Sequence, residues 1–134
     1  MRYFTLEEAR AMLPFVREDL AKLQETKRAF ERGYAELRLR KEQYAYGELS
    51  RQEGEDPFFL LECELEFLQF EAKSSIRQFF EKGIQIKDID IGLIDFPAML
   101  EGREVLLCWK AGEPTIEYYH SPEDGYAGRK RLAE

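Results

Sequence analysis

Cysteine occurs twice, histidine once, tryptophan once and proline five times in this chain of 134 residues. Two cysteines, Cys63 and Cys108, are too few for a disulfide framework; with no export signal they read as reduced thiols of a cytoplasmic protein. A single histidine, with no Cys-x-x-Cys or His-x-x-x-His spacing, makes poor evidence for zinc, and neither a metal nor a cofactor is expected. No apolar run reaches the roughly 18 residues of a membrane span. The N-terminus, Met1-Arg2-Tyr3-Phe4-Thr5-Leu6-Glu7-Glu8, turns polar and acidic at once, unlike a signal peptide. A basic excess is missing too: 20 Lys and Arg against 27 Asp and Glu give a net charge of −7, which argues against a nucleic-acid partner.

What is present is enough apolar residue, 44%, to exclude a disordered chain and to build one core. Residues 1–134 read as a single domain. Residues 22–41 hold seven Lys/Arg and three Glu, while residues 48–71 hold one Arg and eight acids. Both stretches are helical by pattern, so opposed charges suggest that they lie side by side, with Glu62, Glu64, Glu66 and Glu71 meeting the basic arm.

Thr5-Leu6-Glu7-Glu8 fits a capping box that opens a short helix. Pro14 predicts a break at Leu13-Pro14, so residues 5–45 read as a kinked long helix. Its seam is Leu13, Val16, Leu20, Leu23, Lys27, Phe30, Tyr34, Leu37, Lys41 and Tyr44, spaced alternately three and four. Residues 45–56 form a connector, and Asp56-Pro57 opens a second helix over 57–82, closed by Gly83. The two helices form a coiled-coil-like antiparallel hairpin. A second apolar stripe on the later helix, Phe59, Cys63, Phe67 and Phe70 with Ile76 and Phe80, needs its own cover. That points to a homo-oligomer, a dimer by preference, with Phe59, Phe67 and Phe70 at the interface.

Residues 84–120 change to the short alternations of a small β-sheet, with strands over Arg103 to Lys110 and Thr115 to His120. Residues 121–134 read as a polar tail. If Gly112-Glu113 is a two-residue turn, Trp109 faces Ile116, Leu107 faces Tyr118 and Val105 faces His120. Strand alternation then places Cys108 and His120 on opposite faces, which forbids a Cys–His dyad within one subunit.

Several of these segments carry a resemblance. Gly92-Leu93-Ile94-Asp95-Phe96-Pro97, Leu107-Cys108-Trp109, Tyr119-His120 and Gly125-Tyr126-Ala127-Gly128-Arg129, with Phe4-Thr5-Leu6-Glu7-Glu8-Ala9 and Leu13-Pro14, resemble the bacterial family called domain of unknown function 2203. The likeness covers essentially the whole chain and departs at Tyr119, where tryptophan is the more frequent residue. It implies a bacterial, cytoplasmic, single-domain protein and names no reaction. It singles out Asp95, Cys108, Trp109, Glu113, His120, Gly125, Gly128 and Arg129.

Each polar candidate has a functional and a structural reading. His120 is a general base, an anion ligand or a metal ligand, or else an imidazole capping the core at a strand end. A metal would need Asp88, Asp90 or Asp95 beside it, yet aspartates also start turns. Cys108 is a nucleophile or a small buried hydrophobe. Arg129 in its glycine-rich segment grips a carboxylate or phosphate, or else pairs with Asp95 or Glu113 as the tail folds back.

The sequence thus predicts an α+β fold, a long antiparallel helical hairpin followed by a small antiparallel β-meander. Its first functional reading is a non-enzymatic homo-oligomeric interaction protein. The alternative is an anionic-ligand-binding protein or small enzyme. Its polar site at the sheet end comprises Asp95, Glu113, His120, Tyr126 and Arg129, with His120 and Asp95 as candidates to handle protons.

Overall fold

A computed structural model describes residues 2–45 and 56–133. The expected connector lies almost wholly outside the described residues. Thr5 caps α1 (Leu6–Ala11) through the full capping box: its hydroxyl accepts the Glu8 N–H, and the Glu8 carboxylate accepts the Thr5 N–H. These bonds to Thr5 hold the Glu8 carboxyl below its usual range. The break falls at Met12, one residue before the expected site, and α2 (Leu13–Ala45) carries Pro14 in its first turn, where the missing N–H costs nothing.

Asp56 accepts the Phe58 N–H, but residues 57–58 form a turn, so α3 (Phe59–Glu81) starts later than Pro57. The helix ends at Gly83, whose φ of 79° permits the left-handed closing residue. Gly83 N–H donates to the Phe80 carbonyl and Ile84 N–H to that of Phe79, the paired bonds of a Schellman ending.

The predicted seam brings α2 against α3. Leu37, Leu61 and Leu65 are buried there, with Phe30, Phe58 and Leu68 packed around them. Gly33 allows the approach, since a Cβ on it would stand 2.8 Å from a methyl of Leu65. The expected charge pairing between the arms is not what forms. Among the described residues α2 forms ion pairs within itself, as in Glu18–Lys22, Glu25–Arg28 and Glu36–Arg40, and one from Lys27 to Asp90, while Glu62, Glu64, Glu66 and Glu71 are exposed. Neighbours one turn apart on a single helix meet without ordering a second element. Among the described residues no helix is long and apolar enough to cross a membrane.

The rest of the chain makes an antiparallel sheet in sequence order: β1 (Gln85–Asp88), β2 (Leu93–Leu100), β3 (Arg103–Lys110), β4 (Tyr118–His120) and β5 (Lys130–Arg131). The tail is therefore part of the sheet. One face carries Ile94, Phe96, Ala98, Val105, Leu107 and Trp109. These residues pack on Phe4, Ala9, Leu13, Val16, Leu20 and Phe79 to form the main core.

The register between β3 and β4 differs by one residue from the expected one. Leu106 faces His120, Leu107 faces Tyr119 and Cys108 faces Tyr118. The turn is Lys110 to Glu113, with Gly112 (φ 102°) in its second central position, and not a two-residue turn at Gly112-Glu113. The chain then leaves the sheet. Arg17 holds the Pro114 carbonyl at 2.7 Å and Arg10 that of Ile116 at 2.8 Å, with Ile116 fully buried outside any strand. Pairing resumes only at Tyr118. A slip of one residue reverses every side chain of a strand, so Tyr119 turns to the core while Tyr118 and His120 turn to the opposite face.

Candidate functional site

That opposite face is where the polar residues gather. β2 contributes Asp95, β3 contributes Cys108 directly across from it, and β4 contributes His120. All three are buried although they point away from the apolar core, because the chain after His120 folds back over them. A cavity of about 310 Å³ remains between sheet and tail; Lys87, Leu93 and Leu106 also line it from below, and Glu123, Asp124 and Tyr126 from above.

His120 Nε2 lies 3.0 Å from Asp95 Oδ2, and its Nδ1 lies 2.8 Å from the Ser121 carbonyl oxygen. A carbonyl only accepts, so Nδ1 carries a proton and donates it. One further proton is then shared between Nε2 and Oδ2. It makes either an imidazolium facing a carboxylate or a carboxylic acid donating to a neutral ring. Burial raises the Asp95 pKa, and the neighbouring His120 works in the opposite direction. Asp95 Oδ1 is buried with no hydrogen-bond partner.

The expected separation of Cys108 from His120 is overturned by the register. Their ligand atoms, with a carboxylate oxygen of Asp95, all lie within 4.8 Å of one another. Burial, reinforced by the Asp95 charge, pushes the Cys108 thiol up to about 12, so the thiol is protonated near neutral pH and is no nucleophile in this state.

Arg129 belongs to a second cluster. Its guanidinium forms a two-pronged ion pair with Glu113, at 3.0 and 2.8 Å. It lies between the rings of Tyr118 and Tyr126, 3.9 and 4.3 Å from their centroids. Glu113 in turn accepts the Lys110 N–H at 2.7 Å. Burial opposes the charge on Arg129, yet the Glu113 pair outweighs it and raises its pKa. One nitrogen stands 4.0 Å from the Cys108 sulfur, so the two clusters share a border. Within Gly125–Arg129, Gly128 N–H donates to the Gly125 carbonyl and Arg129 N–H to that of Tyr126.

The predicted residues thus come together as two pairs, Asp95–His120 and Glu113–Arg129, with Tyr126 over the second. Asp95 does not pair with Arg129. Asp88 ends β1 and accepts the Ile91 N–H, and Asp90 lies in the turn that follows and pairs with Lys27 on α2. Phe59, Phe67 and Phe70 sit on α3, far along the chain from this site, and are 60%, 60% and 70% exposed. Sequence reasoning missed Cys108 as a neighbour of His120. The available signal was the charged Asp95 inside an otherwise apolar strand, Leu93 to Pro97.

Residues 2–132 match the family model described as "Uncharacterized conserved protein (DUF2203)". The chain belongs to the DUF2203 family. No curated protein and no solved structure matches it. In this DUF2203 chain Trp109 packs in the main core, its indole N–H donating to the Glu113 carbonyl, and the other residues that the resemblance singled out fall into two structural groups. Asp95, Cys108 and His120 form the buried cluster, and Glu113, Gly125, Gly128 and Arg129 shape or clamp the tail above it.

The clamp has a testable consequence. An Arg129→Ala change removes a half-sandwiched, charge-assisted pair, typically about 1.5–3 kcal/mol of local stability. Amides of residues 121–133 are then expected to exchange hydrogen about 10–100 times faster, with β2 and β3 unaffected. Hydrogen-exchange mass spectrometry separates the two regions. Uniform protection across both would show that the tail holds without the clamp.

Proposed function

We propose that this protein acts through the cavity between the outer face of its sheet and its C-terminal tail, as a binding protein or small enzyme for a small polar molecule. The observation that carries this reading is the buried Asp95–His120 pair at the cavity wall. Burying two ionisable groups costs stability, and nothing in the fold requires it, since the core lies on the other face. The pair holds one mobile proton and is suited to exchange it with a bound molecule.

The ligand class shifts from the anion expected at first. Arg129 is occupied by Glu113, and the cavity is lined by Asp95, Glu123 and Asp124 against Lys87. That lining favours a cationic or neutral polar molecule. The test is a thermal-shift screen of small polar compounds on wild type and on Leu93→Trp, which fills the cavity from a half-buried position. Hits with wild type that vanish in Leu93→Trp support the reading. Hits indifferent to the change, or no hits in wild type, overturn it.

A second reading concerns assembly. Phe59, Phe67, Phe70 and Phe80 are exposed along α3, and a stripe of this size is unusual on a monomer. It supports a homodimer joined through α3. The free thiols, Cys63 exposed and Cys108 buried, suit a reducing cytoplasm.

A further inference from the structure

Asp95, Cys108 and His120 offer one oxygen, one sulfur and one nitrogen within 4.8 Å of one another, all three residues buried. Zinc bonds to such atoms measure about 2.0–2.3 Å, so tetrahedral ligands stand roughly 3.3–3.7 Å apart. The 3.0 Å contact of His120 Nε2 with Asp95 Oδ2 and the 4.8 Å outer limit of the cluster bracket that spacing. Among the described residues Oδ1 of Asp95 is buried without a hydrogen-bond partner, and the Cys108 thiol is the other group held at this carboxyl. The Nδ1 proton of His120 is held by the Ser121 carbonyl, which leaves Nε2 as the nitrogen that can ligate.

We propose that Asp95, Cys108 and His120 bind one divalent ion of the zinc class, with its remaining position open to the cavity. The proposal deepens the reading above, since the ion would sit in the wall of the same cavity. The charges balance: a doubly positive ion meets one carboxylate and one thiolate, so the buried centre is neutral. Protons balance as well, because binding releases the Cys108 thiol proton and the proton shared by Asp95 and His120. The single carboxylate and the sulfur disfavour magnesium and calcium, which take oxygen ligands. The Arg129 nitrogen 4.0 Å from the sulfur is placed to steady the thiolate.

The experiment titrates the full chain, freed of metal by a chelator, with Co²⁺ and then Zn²⁺. One Co²⁺ per chain is expected, with a sulfur-to-cobalt charge-transfer band that one equivalent of Zn²⁺ bleaches. The band should survive Cys63→Ser and vanish in Cys108→Ser, with binding weakened at least tenfold in His120→Ala. A wild type without the band, or a band that persists in Cys108→Ser, overturns the proposal. Where Cys108→Ser fails to fold, X-ray absorption of the zinc-loaded wild type decides. One sulfur among nitrogen and oxygen neighbours supports the site, and none overturns it. The Leu93→Trp variant separates the two ideas, because it blocks the cavity and leaves all three ligands. Compounds that bind the metal-free wild type but not Leu93→Trp, together with no cobalt band, sink the metal and keep the cavity. A cobalt band with no compound binding does the reverse.

Discussion

Changing His120 alone to leucine is expected to cost the metal-free protein about 3–5 kcal/mol, because it leaves the buried Asp95 carboxyl with only the Cys108 thiol beside it. Changing His120 to leucine and Asp95 to valine together is expected to restore most or all of that loss. Asp95 is 1% exposed and His120 4%, so each has given up its water. Their 3.0 Å contact returns only part of that cost, and Asp95 Oδ1 receives nothing. Apolar side chains of similar size would pack against Leu106 and the tail with no such debt. Urea denaturation of wild type, the two single variants and the double variant, all in chelator, gives the full cycle. A double variant as unstable as the sum of its parts would make the pair a structural element and remove the motive for the functional reading.

The second large effect concerns assembly. Wild type is expected to be a dimer at micromolar concentration, and Phe67→Asp with Phe70→Asp to be a monomer. Burial of a phenylalanine contributes about 1.5–3 kcal/mol, and a two-fold interface counts each change twice. The loss therefore reaches at least about 6 kcal/mol, or roughly four orders of magnitude in dissociation constant, before the cost of buried aspartates. Both residues are 60% or more exposed and line the groove beside α2, so the monomer keeps its own core. Sedimentation equilibrium reads the mass, and circular dichroism confirms that α3 persists. A monomeric wild type would end the assembly reading and leave the cavity reading untouched.

Much of the helical part was legible because helices are governed by neighbours three and four residues apart. The capping box at Thr5, the seam through Leu37, Leu61 and Leu65, and the stop at Gly83 all rest on such local relations. The break at Met12 and the late start of α3 shift only the ends, where helices are least determined. Strand β3 was also legible, since Val105–Trp109 is a short apolar run between charged ends, the pattern of a strand buried on both faces. The polar site was half legible. Asp95, His120, Glu113, Arg129 and Tyr126 were recognised, but their partners were not, because pairing depends on register.

The order of elements, the faces of α2 and α3, and the residues able to do chemistry can all be read from the sequence. They follow from periodicity, capping and side-chain identity, which need no distant contact. Tertiary structure alone decided the face on which His120 lies. Arg10 and Arg17 on the helices hold the carbonyls of Ile116 and Pro114, draw that segment off the sheet and delay pairing until Tyr118. That one-residue difference, set by side chains about a hundred positions away, brings His120 beside Asp95 and Cys108. Tertiary structure also folds the tail over them and locks it through Glu113 and Arg129, which turns an outer sheet face into a buried polar site. Alternation fixes which residues share a strand face, and only long-range contacts fix which strand faces meet.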